Sequence, residues 1–396
     1  MQAWLDSLIA RGDFGARPDA ALAYGIAMAI ACALVLALIA LPFASIVTWV
    51  ERRVWARIQS RVGPNRVGPQ GFLQWLADGV KHVCKEDLAP EEADARLFKL
   101  APWLVALGFF LPWAAMPFSS ALILADLNVG ILYLTAVTAL TVVGVLMAGW
   151  ASNNKWSLLG GIRSAAQIVS YEIPAGLSIL PVVLMSGTLS MEGIIRAQGW
   201  APQSWFLFAN PFCVPAATIL FISGLAENNR TPFDLPEAES ELVAGFATEY
   251  TGMRYLLFYM AEWGNMFVSA AILATLFLGG WRAPALSRSA VAMNTIEFAV
   301  FNLKVLTIVF VSMWVRGTLP RVRIDQMMAL CWKYFVPIAF VDLLGTAGWV
   351  ALWPDGNPIA SWLLLACAAA GIVLFVRRVA IYARRSRMEL RLRPTS

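Results

Sequence analysis

ALAYGIAMAIACALVLALIALPFASIVTWV, residues 21–50, runs thirty residues without a charged side chain. A helix needs about 20 apolar residues to cross the hydrocarbon core of a bilayer. The run is long enough to span with margin. Eight further apolar segments follow, at about 100–118, 127–150, 165–189, 204–226, 263–281, 291–315, 331–353 and 358–376. Unpaired backbone groups are costly in lipid, so each segment is read as a helix. The expected fold is all-α: a polytopic transmembrane helix bundle of about nine spans.

Composition agrees with that reading. Of the 396 residues, 59% are hydrophobic and 14% are charged, against about 25% charged in soluble domains. The charges gather in short segments between the spans. The first twenty residues carry Asp6, Arg11, Asp13, Arg17 and Asp19. The apolar run behind them exceeds a signal-peptide core, so the first span is expected to be retained.

Lysine and arginine in the connections orient the bundle. The connection 51–99 holds nine, 119–126 holds none, and the tail 377–396 holds seven. Alternate sides total 23 against 5. The positive-inside rule then places the N-terminus outside and the C-terminus in the cytoplasm. The same bias accounts for the basic pI without any nucleic-acid partner. Three regions are expected: an N-terminal segment 1–20 on the outer (periplasmic) side, a membrane domain 21–353 of eight spans, and an extra span with a basic cytoplasmic tail, 354–396.

The five cysteines are Cys32, Cys84, Cys213, Cys331 and Cys367, and none lies within four residues of another. The single histidine is His82. No zinc-type spacing is present. One histidine cannot make a bis-histidine haem site, and these cysteines do not resemble iron–sulfur ligands. Redox centres, if the function needs them, are expected on other chains.

Two long connections carry most of the remaining chemistry. The first opens with Glu51, Arg52 and Arg53, continues through Arg57 and Arg61, and reaches Arg61-Val62-Gly63-Pro64-Asn65-Arg66-Val67-Gly68-Pro69. Two Gly-Pro steps stop helix propagation there and stiffen the loop. Leu73, Leu76, Val80 and Val83 then recur at three- and four-residue steps, with Gln74, Asp78, Lys81 and Lys85 off that face. That spacing predicts an amphipathic helix in the membrane interface. Composition alone favours reading the connection as a basic topology anchor plus a surface helix.

The second connection runs Glu227-Asn228-Asn229-Arg230-Thr231-Pro232-Phe233-Asp234-Leu235-Pro236-Glu237-Ala238-Glu239-Ser240-Glu241. Asp234 and Glu237 have capping-box spacing, and Pro236 suits a first helical turn. Glu237 and Glu241 would lie one turn apart, with Glu239 and Glu249 nearby. Two readings stand: a proton relay, or a solvated acidic face. Within the spans, Glu172 and Lys304 are hard to excuse by snorkelling. They line a hydrated path or form a buried ion pair, with Glu297 two turns before Lys304 on a similar face. Lys333 and Asp342 lie in the eighth span.

Taken together, these segments resemble the H subunit of the proton-pumping NADH:quinone oxidoreductase, respiratory complex I, the counterpart of mitochondrial NADH dehydrogenase subunit 1. The resemblance rests on Glu51-Arg52-Arg53, Gly63 to Gly68, Ala125 to Asn128, Ser152 to Lys155, Ser157 to Gly160, Gln167 to Glu172, Glu227 to Glu241, Glu249 to Met253 and Arg316 to Gln326. It covers about residues 25 to 350, in order. The span at 358–376 and the basic tail depart from the common eight-span form.

The resemblance implies a membrane subunit that forms a quinone-access tunnel and couples quinone reduction to proton translocation in the bacterial inner membrane. Glu51, Arg52, Arg57, Arg61, Arg66, Phe233 and Glu249 would belong to the tunnel. Glu172, Glu227, Asp234, Glu237, Glu239, Glu241 and Lys304 would form the proton path. The chain would hold no metal and no redox centre of its own. Quinone (ubiquinone or menaquinone) would bind at the interface with partners. NADH, FMN and the iron–sulfur clusters would sit on the peripheral-arm subunits, with small membrane subunits alongside. Two rivals remain at this point: the homologous subunit of a membrane-bound hydrogenase or F420-dependent dehydrogenase, and a stand-alone transporter. The full arginine loop and acidic motif favour the quinone enzyme. The missing internal repeat disfavours the transporter.

Overall fold

The computed structural model describes residues 45–236, 239–285, 289–354 and 356–392. The N-terminal segment 1–20, most of the first span and Glu237 lie outside the described residues. Among the described residues there are helices and turns and no strand.

Helix α1, residues 45–58, ends where Ser60 takes a left-handed φ of 55°. Helix α2, Gln74–Cys84, is the expected amphipathic helix. Its Leu76, Val80 and Val83 are exposed, and its other side packs on α11 (Gly252–Phe277), where His82 stacks on Tyr255. Helix α3, Ala95–Phe110, is capped by Asp94, which accepts from the Arg96 and Leu97 amides. Pro112 then tightens the chain into a 3-10 turn over Leu111–Ala115.

The third expected span is two helices, α4 (Gly130–Thr138) and α5 (Leu140–Ala151). Helix α6, Lys155–Ser186, starts ten residues before its expected boundary because Asn154 caps it, accepting from the Trp156 amide at 2.9 Å. It ends at Gly187, whose φ of 68° suits a glycine C-cap. Helix α6 is the axis of the bundle, packed by α5, α9 and α14.

After the short α7 (Met191–Ala197), the expected span at 204–226 is broken. Helix α8, Phe206–Ala209, stops before Pro211, and α9 runs Cys213–Glu227. Proline lacks the amide and disfavours helix in the residue before it. Helix α10, Glu239–Leu242, is a single turn. Helix α11 begins eleven residues earlier than expected, so Glu262 lies inside it.

Helix α12 is Ala290–Thr318 and α13 is Ile324–Ala329. A π turn at Leu330–Phe335 leads into α14, Val336–Leu352, just before Pro337. Helix α15, Pro358–Leu392, completes the chain and packs on α8. Among the described residues, six helices are long and apolar enough to cross a membrane, and Cys213–Glu227 and Pro358–Gly371 are shorter apolar helices. With the first span mostly outside the description, this matches an all-α polytopic bundle.

Candidate functional site

The arginine-rich end of the bundle is built on α1 and α12. A cleft of about 740 Å³ opens between them, walled by Val54, Ile58, Val62, Phe310 and Trp314, with Arg53, Arg57 and Arg61 along it. The helical step that puts Arg53 and Arg57 on one face also brings Val54 and Ile58 together. Glu51 is buried and accepts from the Arg316 guanidinium, which lies 4.4 Å from the Trp55 ring centre. Arg52 turns the other way and pairs with Asp78 of α2 at 2.5 Å. Of the residues expected in the tunnel, Arg57 and Arg61 line the cleft, Glu51 and Arg52 brace its surroundings, and Arg66 is exposed on the loop beyond it. Phe233 is buried against Tyr171, 5.5 Å between ring centres. Glu249 accepts from the Asn154 side-chain amide at 2.6 Å.

The acidic connection lies against α6. Ser157 donates to the Phe246 carbonyl at 3.0 Å. A Cβ on Gly160 would stand 2.7 Å from the Gly245 Cα, so only glycine permits this backbone contact. Gln167 donates to the Ala226 and Phe233 carbonyls at 2.7 and 2.8 Å. These bonds hold both ends of the connection to one helix.

The expected capping box pairs Asp234 with Glu237, which lies outside the described residues. Residues 231–236 are turns and irregular chain, and the one-turn helix α10 spans Glu239–Leu242. Pro236 disfavours helix at Leu235. Asp234 accepts from Arg321 at 3.1 Å, and the Val322 amide donates to the Pro232 carbonyl at 3.0 Å. Glu241 pairs with Arg163 at 2.8 Å. Of the described acids, Asp234, Glu241 and Glu249 each engage a different element.

Glu172 and Glu227 are brought together. Both line a cavity of about 380 Å³ between α4, α6, α9 and α11. Water occupies about 30 Å³ per molecule in the liquid, so this space holds several. Glu227 also lines a smaller cavity with Asn228, Asn229, Glu262 and Asn265. Arg230 is buried, 3.6 Å from Glu262 and 4.1 Å above the Trp263 ring. Glu262 and Arg230 were not among the expected site residues. Glu262 could have been found as a charge within an apolar helix, had the start of α11 been placed at Gly252.

Lys304 stands elsewhere. Its ammonium donates to the Leu278 and Gly280 carbonyls at 2.7 and 2.8 Å and lies 4.8 Å from the Trp205 ring centre. No carboxylate among the described residues is its partner in an ion pair. Of the two readings of Lys304, the buried ion pair is not found among the described residues; the carbonyls at the end of α11 are its acceptors. Glu297, one expected neighbour, accepts instead from the Ser120 amide and hydroxyl at 2.9 and 2.6 Å.

No group of three or more histidine, cysteine or carboxylate side chains among the described residues could hold a metal ion.

Comparison with known proteins adds a lineage to this geometry. A family model described as NADH dehydrogenase matches residues 30–347, which ends inside α14 and leaves α15 beyond it. The NADH-quinone oxidoreductase H subunit of Anaeromyxobacter dehalogenans is 52% identical over 365 residues, covering 87% of this chain and 88% of the relative. The H subunit of Chlorobaculum tepidum is 46% identical over 336 residues, covering 83% and 93%. NADH-quinone oxidoreductase subunit 8 of Rhodothermus marinus is 43% identical over 323 residues, covering 78% and 93%.

Proposed function

The chain belongs to the NADH dehydrogenase family as a membrane subunit of NADH-quinone oxidoreductase, of the H type, and on that premise we propose that the cleft between α1 and α12 admits quinone while Glu172 and Glu227 carry protons. The observation that carries the quinone reading is the cleft itself. Its apolar wall of Val54, Ile58, Val62, Phe310 and Trp314 suits an isoprenoid tail, and Arg53, Arg57 and Arg61 offer donors to a carbonyl-bearing ring. The pairing of Glu51 with Arg316 holds the two walls in register.

The cavity shared by Glu172 and Glu227 supports the proton role. Two carboxylates on one space with room for several waters can exchange a proton through water while each stays on its own helix. Glu227 faces both this cavity and the one bounded by Glu262, so it is the natural relay between them. Asp234, Glu241 and Glu249 then act mainly by holding the connection to Arg321, Arg163 and Asn154. Glu237 and Glu239 extend the same acidic segment. Lys304 closes the end of α11 rather than conducting.

The chain supplies no redox centre in this account. Electrons reach the quinone from FMN and iron–sulfur clusters on peripheral-arm subunits, which dock over the arginine loop and the acidic connection. By the positive-inside rule the basic connections support a cytoplasmic position for these surfaces, and membership of the H type supports the bacterial inner membrane.

Quinone reductase kinetics on the intact complex test the cleft. Arg57→Ala and Arg61→Ala raise the KM for quinone while complex content is unchanged. An unaltered KM in the double variant would remove the cleft from the quinone route.

A further inference from the structure

Asp342 lies on α14 with 2% of its surface exposed. Its Oδ2 has no hydrogen-bond partner among the described residues. The group is outside the Glu172–Glu227 cavity, whose lining does not include it. One helical turn on, Thr346 is fully buried and accepts from the Asn210 side-chain amide at 3.2 Å. Asn210 is itself fully buried, and its Oδ1 accepts from the Phe212 amide at 3.0 Å. The same side-chain amide touches Met185 of α6, which also contacts the buried Cys213 thiol. Gly345 lets the Phe212 ring close against α14, since a Cβ there would stand 2.4 Å from the ring. The break at Asn210–Pro211 is thus what delivers polar groups to this part of α14.

We infer that Asp342 is a proton-binding site inside the membrane, beside the Asn210–Thr346 cluster and separate from the Glu172–Glu227 cavity. The alternatives for a buried carboxylate are a paired cation, a metal ion and a proton. The side chain is closed off by this chain's own helices, so a partner's lysine or arginine cannot reach it. The orientation of Asn210 opposes a metal ion. Its oxygen is occupied by the Phe212 amide, which turns its N–H groups toward Thr346 on the Asp342 helix. A cation would meet donors on that side, whereas a carboxyl group needs none of its neighbours to be a ligand.

An ionised carboxylate without partners is far costlier to bury than a neutral acid. The proton adds to one carboxylate oxygen, with no other bond made or broken. The titratable neighbour from α9 is Cys213, within electrostatic reach of Asp342. From α6 the group at this level is Met185, and the nearest ionisable residue on that helix is Glu172, thirteen positions earlier. On its own stretch the nearest are Tyr334 and Lys333, eight and nine positions earlier and both exposed.

Infrared difference spectroscopy on the intact complex, recorded as a pH titration, tests this. A carbonyl band of a protonated carboxyl group is expected at neutral pH in the unaltered complex. Asp342→Asn abolishes that band and leaves those of other acids. Asp342→Glu moves it, which keeps the test open if the asparagine variant fails to assemble. Added sodium leaves it unchanged. A spectrum unaltered by either substitution, or a band displaced by sodium, overturns the proposal.

Discussion

Glu51 accepts from Arg316 across 265 residues of sequence, and the two residues sit on the two helices that wall the cleft. Glu51 is 5% exposed, and Arg316 stacks on Trp55. Removing one partner of a buried pair leaves the other uncompensated, at a cost of about 3 kcal/mol. Glu51→Gln is expected to lower the denaturation midpoint of the complex and raise the KM for quinone. Arg316→Lys does not restore either, because an ammonium lacks the planar stack. Thermal denaturation followed by quinone reductase activity checks both.

Phe310 and Trp314 are partly exposed on the wall of the cleft, at 47% and 38%. Their exposed faces can contact a bound apolar tail. Removing either aromatic contact is expected to cost about 1.4 kcal/mol of binding, roughly tenfold in KM. Assembly should be normal. Equal KM values for the alanine variants and the unaltered complex would show that this wall does not touch quinone.

Glu227 borders two cavities, one with Glu172 and one with Glu262. Glu227→Gln keeps the shape and removes the transferable proton. The ratio of protons translocated to electrons transferred should fall in reconstituted vesicles, while complex content stays normal. Adding Glu172→Gln should cause little further loss, since residues acting in one relay are not additive. A full proton yield in Glu227→Gln vesicles would count against the relay.

Lys304 satisfies the Leu278 and Gly280 carbonyls at the end of α11. Lys304→Met removes both bonds, and an unsatisfied buried acceptor costs about 1–3 kcal/mol. The expected result is a less stable complex whose remaining activity keeps its pH profile. A shifted pH profile with unaltered stability would return Lys304 to the proton path.

His82 joins α2 to α11 through Tyr255. Burial, followed by the neighbouring Lys81, holds its pKa below the ordinary histidine value. The unfolded segment therefore binds a proton more readily than the docked one. The contribution to docking is complete above the ordinary value of about 6.5 and is lost as pH falls below it. Hydrogen exchange in Gln74–Cys84 should rise on acidification through that range, and His82→Gln should flatten the response.

The apolar runs were legible because hydrocarbon demands length and continuity, and the face of α2 was legible from Leu76, Val80 and Val83. The starts of α6 and α11 were not, because Asn154 and Gly252 begin those helices in polar sequence ahead of the apolar core. The break before α9 was signalled by Pro211, yet hydropathy alone ran through it. Pairings such as Asp234 with Arg321 and Lys304 with the α11 carbonyls depend on which helices are neighbours. No local spacing reports that. Closeness in sequence likewise did not report that Asp234, Glu241 and Glu249 turn to Arg321, Arg163 and Asn154.

The central claim is that quinone passes between α1 and α12. A photoreactive quinone carried on an isoprenoid tail, activated in the intact complex and mapped by peptide sequencing, addresses it directly. Labels are predicted on residues 53–63 and on Phe310 or Trp314, suppressed by excess unlabelled quinone. Labelling of this chain that is suppressed by quinone but falls only outside those two segments would contradict it.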